Sequence, residues 1–143
     1  GFDTHANHDR DQVRQIYKLW GGLAYILDQL DTFGLGQNTF VVVSSDFARG
    51  PRYNGENTNS GKDHWPVTST LVLGPGIEGN RVIGGSTADQ LALKLNPGNL
   101  STGSDGVKLT PTVIHRALRG LAKLDPDLEK RFPLAGEALP LFA

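Results

Sequence analysis

Apolar side chains recur along the first third of the chain at Val13, Ile16, Trp20, Leu23, Leu27 and Leu30, three or four residues apart. That spacing lays one apolar stripe along a helix of about five to six turns and predicts a helix from Asp9 to about Gly34. Asp9 followed by Gln12 reads as a capping box and Gly34 as a stop, while Gly21 and Gly22 mark a close helix-to-sheet contact. Next come two apolar runs without polar alternation, 38–45 and Thr68–Leu73, which read as strands buried on both faces. A short strand is expected over Arg81–Ile83 and a brief helix over 86–93, with 96–106 as loop. A second amphipathic helix opens at Pro111 and carries Val113, Ile114, Ala117, Leu118 and Leu121. The tail from Asp125, punctuated by prolines, is expected to wrap the surface. Helix followed by buried strands predicts an α/β fold with a mostly parallel sheet.

Between the two strand runs lies GPRYNGENTNSGKDHWP, residues 50–66, which contains no Ala, Val, Leu or Ile. Loops this long inside a compact domain are uncommon and tend to be functional or disordered. Composition narrows what such a function can be. With 143 residues and 38% apolar side chains the chain can close a core, and 14 basic against 15 acidic residues leave a formal charge of −1. That balance lacks the electrostatic footprint of a nucleic-acid or anionic-membrane binder. No stretch reaches the roughly 18 consecutive apolar residues of a membrane span. The absence of cysteine removes thiolate metal sites and a cysteine nucleophile. The opening at Gly1 without methionine, with GFDTHANH at the edge, reads as a fragment or a processed product.

Ligand-type side chains collect at four places: Asp3 with His5 and His8, Asp46 at the end of the FVVVSSD run, Arg49 three residues later, and Asp63-His64 in the polar loop. If Phe2–His5 is extended, Asp3 and His5 point to one face; if the helix starts early, His5 and His8 share one. Mixed carboxylate and imidazole ligands suit zinc or another divalent metal, including two-metal hydrolytic centres. Arg49 could then hold an oxyanion with its planar fork of donors. Each residue also has a structural reading: Asp46 as a turn cap, His8 as part of a solvated helix start, His64 as a loop anchor beside Trp65, and Arg49 as a surface ion-pair partner. His115, inside the second helix, reads as packing or surface. Asn99-Leu100-Ser101 fits a glycosylation acceptor, a triplet common by chance.

The motifs GFDTH, SSDFARGPRYNG and GKDHWP, in that order, resemble a bacterial family catalogued as domain of unknown function 1501, which is related to the sulfatases and alkaline phosphatases. This resemblance implies a three-layer α/β/α fold of the alkaline-phosphatase type, of which residues 1–143 form the C-terminal portion of a single domain. It implies one metal held by Asp3, His5 and His64, a second bound by Asp46, and Arg49 as a substrate contact. The ions would be divalent, zinc foremost, and the substrate a small-molecule or saccharide ester of phosphate or sulfate. In that superfamily the nucleophile and another metal aspartate come from a segment upstream of GFDTH, so the partner expected here is the missing N-terminal part of the same domain. A periplasmic or exported location is implied by the same likeness. Alkaline phosphatases place a histidine ligand after the strand-end aspartate, whereas Phe47 stands there in this chain. That difference supports an alternative, a noncatalytic relative that binds a ligand or keeps the fold for assembly.

Overall fold

The computed structural model describes residues 1–142 and divides into two compact units, with the boundary between Pro75 and Gly76. In the first unit, α1 spans His8–Thr32, as the periodicity predicts. It ends where Gly34 adopts φ 66°, with Gly34 N–H donating to Asp31 O and Leu35 N–H to Leu30 O, the paired bonds of a Schellman stop. The start differs from the expected Asp9–Gln12 box. Asn7, in the left-handed region at φ 48°, is the N-cap and its side chain does not cap. Within α1 only Leu23 is buried, while Tyr17 is 81% and Trp20 54% exposed. A Cβ on Gly21 or Gly22 would meet nothing within 4 Å, so these glycines do not mark a close helix-to-sheet contact.

After a 3-10 turn at Gly36–Asn38, β1 (Val41–Val43) pairs antiparallel with β4 (Leu71–Leu73), Val42 lying opposite Val72. Between them β2 (Ala48–Arg49) pairs antiparallel with β3 (His64–Trp65). In the second unit β5 (Lys94–Leu95) lies between β6 (Thr102–Gly103) and β7 (Val107–Lys108), again antiparallel on both sides.

The expected three-layer α/β/α arrangement with a mostly parallel sheet is therefore not what the chain forms. Among the described residues every strand pairing is antiparallel and no sheet exceeds three strands. An unalternated apolar run indicates burial but carries no information on strand direction. Parallel neighbours also need a crossover, usually a helix, and the segment between β1 and β4 supplies the β2–β3 ladder instead. Val42 is exposed, so β1 covers one face only.

Residues 81–83 form no strand and 86–93 no helix; Ser86 and Ala92 instead make an isolated antiparallel bridge around a turn. The stretch 96–106, expected as loop, contributes β6. In α2 (Pro111–Leu121), Pro111 opens the helix and Val113 N–H donates to the Thr110 hydroxyl at 3.3 Å, a side-chain cap. A short α3 follows at Pro126–Arg131. The tail does more than wrap the surface, because Leu139 and Leu141 join Leu95 and Val113 in the buried core of this unit, with Ile83, Val107 and Ile114 packed around them. Prolines punctuate the tail's backbone but leave its leucines free to bury.

Leu95 is fully buried and Val82 is 93% exposed. Leu95→Ala is expected to destabilise the fold by about 2–5 kcal/mol and Val82→Ala by less than about 0.5 kcal/mol. Urea unfolding midpoints of the two variants, measured side by side, check the core assignment.

Candidate metal centre

The site is assembled by backbone contacts between the N-terminal segment and residues 59–62. Ala6 bridges Ser60, Lys62 N–H donates to Thr4 O at 3.1 Å, and Asn7 N–H and His8 N–H donate to Asn59 O and Ser60 O. The segment before α1 turns at Asp3, with Thr4 N–H donating to Phe2 O at 2.9 Å; Thr4 is buried, while Asp3 and His5 on either side of it are exposed. The approach is close enough that a Cβ on Gly61 would overlap the His5 carbonyl and the Ala6 nitrogen. Glycine is thus required there for space.

The second half of the site comes from β2 and β3, which set Arg49 directly opposite His64, with Gly50 N–H donating to Asp63 O at 2.9 Å. Directly opposed residues project to the same face of a ladder. Phe47 stacks on the His64 ring at 3.9 Å between centroids with planes 23° apart, and the Arg49 guanidinium lies 5.6 Å from the Phe47 ring centre.

Around these supports three ligand-type atoms converge. His5 Nε2 is 3.1 Å from His64 Nε2 and 3.2 Å from Asp3 Oδ1, and His64 Nε2 is 3.4 Å from Asp3 Oδ1. Arg49, whose side chain is 7% exposed, donates to Asp3 Oδ1, to His5 Nε2 at 3.3 Å and to the Lys62 carbonyl at 2.9 Å. That guanidinium first, and the His64 ring second, hold the Asp3 carboxyl below the ordinary carboxylate range. On its far side His5 Nδ1 meets Asp63 Oδ1 at 3.2 Å. A carboxylate only accepts, so Nδ1 carries the hydrogen, and Nε2, which faces the Arg49 N–H, presents a lone pair. The Asn54 amide first, and His5 second, keep the Asp63 carboxyl low as well.

Zinc bonds of about 2.0–2.1 Å in tetrahedral geometry set neighbouring ligand atoms about 3.3–3.4 Å apart. The Asp3, His5 and His64 atoms are spaced close to that, and the His5–Asp63 contact is the carboxylate–histidine support typical of metal ligands. The donor set therefore fits a divalent metal. Asp46 is exposed and lies outside this three-residue group. Its neighbour Phe47, two residues before Arg49, is the one that reaches His64. The serines of the same run are engaged locally, Ser44 with the Thr70 hydroxyl at 3.0 Å and Ser45 donating to Phe47 O at 2.7 Å.

His8 stands apart from the cluster. Thr4 donates its one hydroxyl proton to Gln12 Oε1 at 3.2 Å, so His8 Nδ1–H is the donor in the 2.8 Å contact with Thr4 Oγ1. It is half-buried rather than part of a solvated helix start. Asn54 and the supporting role of Asp63 were not legible from motif position; Asp63 beside a histidine was the available signal.

Residues 1–104 match the family described as protein of unknown function DUF1501, and the chain belongs to that family. No curated protein and no solved structure matches the chain.

Two outcomes follow from this geometry. Gly61→Ala is expected to push the 3–6 segment away from 60–62, destabilising the protein by at least about 1–3 kcal/mol; thermal melts measure the loss, and an unchanged melting temperature would contradict the close approach. Burial first, and the charge of Lys62 second, push the His8 imidazole below its ordinary value of 6.5. The unfolded chain then binds that proton more readily, so the His8 contribution is full above about pH 6.5 and is lost as pH falls towards the folded value. Unfolding midpoints between pH 7 and 5 should decline less steeply in His8→Gln than in the wild type. Asp3 and Asp63, also depressed, lose their contributions at lower pH.

Proposed function

We propose that Asp3, His5 and His64 hold a divalent metal, zinc foremost, and that the chain is part of a metal-dependent hydrolase of phosphate or sulfate esters whose nucleophile comes from a segment outside residues 1–143. The observation that carries the reading is the mutual spacing of the three ligand atoms, 3.1, 3.2 and 3.4 Å. When bound, the ion supplies Lewis-acid polarisation and a water of lowered pKa, about 7 for zinc. Arg49 is the substrate contact: it is positively charged and planar, and it stands against the same lone pairs. Asp3 Oδ1 and His5 Nε2 now accept from it, and a cation taking over those lone pairs leaves the guanidinium's donors for an anionic ester. Phe47 holds the His64 ring by stacking.

Kinship with the sulfatases and alkaline phosphatases belongs to this proposal through the GFDTH, SSDFARGPRYNG and GKDHWP motifs, independent of fold. Asp46 as a ligand for a second ion enters on that likeness alone. A noncatalytic metal- or ligand-binding role is the second reading. It is favoured by Phe47, which is committed to packing at the position where a phosphatase has its histidine ligand.

Metal analysis after zinc dialysis is expected to give one ion per chain, with Asp3→Ala and His64→Ala each weakening binding by at least about tenfold. In the parent protein that also carries the nucleophile segment, Arg49→Ala should keep the ion and lose turnover of aryl phosphate or aryl sulfate. A wild-type protein that binds no zinc sinks the metal reading; stoichiometric zinc in that parent with no turnover of either ester moves the protein to the binding role.

A further inference from the structure

Asn54 belongs to none of the expected ligand sets, yet its side chain ties together two separate stretches of the first unit, His5 and residues 61–63. The amide nitrogen donates to the His5 carbonyl at 3.0 Å and to Asp63 Oδ1 at 3.3 Å. The amide oxygen accepts from Gly61 N–H at 2.9 Å, and the Asn54 backbone N–H donates to Gly61 O at 2.9 Å. Both amide hydrogens and the oxygen are therefore engaged. The opposite orientation would set the oxygen against a carbonyl and a carboxylate, and the NH2 group against an N–H, so the partners fix which way the amide points.

We infer that Asn54 is a positioning residue for the metal centre: it aims Asp63 Oδ1 at His5 Nδ1 and pins the His5 backbone, so that His5 presents Nε2 as a lone pair beside Asp3 and His64. The inference rests on the metal reading above for its purpose, but its geometry stands without an ion. Among the described residues Asp63 Oδ1 accepts from two side chains, Asn54 and His5, and the carboxylate is 72% exposed. An exposed carboxylate with a free rotamer does not hold a ring in one tautomer by itself. The Asn54 amide supplies the second point that fixes it, and the same amide ties this carboxylate to the backbone of the histidine it orients. Supports of this kind typically cost roughly 10–100-fold in metal affinity when removed.

The chemistry separates this role from simple packing. Asn54→Asp keeps size and shape but replaces both donors with acceptors, facing a carbonyl and another carboxylate, so it should harm the centre more than Asn54→Ala. A packing role gives the reverse order. Nitrogen-15 spectra of the histidine rings, recorded without metal where the rings are neutral, read the tautomer directly. The wild type is expected to show His5 protonated at Nδ1, and Asn54→Asp to shift it towards Nε2–H. Zinc titration should show affinity falling by roughly 10–100-fold in Asn54→Asp and by less in Asn54→Ala. Should Asn54→Asp not fold, Asn54→Ser, which lacks the paired donors, is expected to move the tautomer the same way. An unchanged His5 ring spectrum in a folded variant overturns the inference. If the wild type binds no zinc the metal reading fails by itself, and the tautomer comparison still decides whether Asn54 orients His5.

Discussion

The close approach of the Asp3–Ala6 backbone to residues 60–62 is the constraint on which the rest of the first unit depends. It is possible because residue 61 has no side chain, and it converts two stretches far apart in sequence into one antiparallel contact. Once Lys62 N–H is bonded to Thr4 O, Thr4 is buried and its neighbours Asp3 and His5 stay exposed beside residues 60–62. The following residues, Asp63 and His64, then arrive beside them with no further loop to order. The geometry of this cluster is thus a consequence of backbone pairing more than of any one side chain's preference.

Charge accounts for why the cluster tolerates its own crowding. Two imidazole nitrogens and a carboxylate oxygen face one another at 3.1–3.4 Å, and lone pairs at that separation repel unless a proton or a cation lies between them. Arg49 is the resident answer, a nearly buried guanidinium anchored from behind by the Lys62 carbonyl. Stability is a poor reason for the arrangement, since Asp3 is largely exposed and ion pairs at such positions contribute little. The convergence of Asp3, His5 and His64 beside a single fixed cation is what the proposed metal reading rests on.

The helices were legible because 3.6-residue periodicity is a local signal: α1 and α2 sit where the spacing put them, and Gly34 and Pro111 end and begin them for the expected reasons. Strand direction was not, because Val41–Val43 reads the same whether its neighbour runs up or down. In the site, Asp3 and His5 coming together was one of two readings; α1 begins only at His8, so His5 lies outside the helix and joins Asp3 rather than His8. The setting of Arg49 opposite His64 depends on the register of a two-residue ladder, which no composition or motif encodes. The apolar stripe of α1 was read correctly as a pattern, yet Val13 and Trp20 stay exposed, since the short β1–β4 pair offers little surface to cover it.

The two units differ in what holds them. Leu95, Val113, Leu139 and Leu141 form a buried apolar cluster in the second, whereas the buried residues around the site are Thr4, Gly50, Ser60 and Gly61, small or polar. The site is therefore organised by hydrogen bonds and backbone proximity, with little apolar burial behind it. Hydrogen-bonded networks fail differently from apolar cores: removing a methylene from a core leaves a cavity, but reversing one donor leaves an acceptor facing an acceptor. That is why Phe47, whose ring stacks on His64, matters. It gives the ring an apolar contact that does not depend on the polarity of any neighbour, at the imidazole in the cluster that, among the described residues, no carboxylate supports from behind.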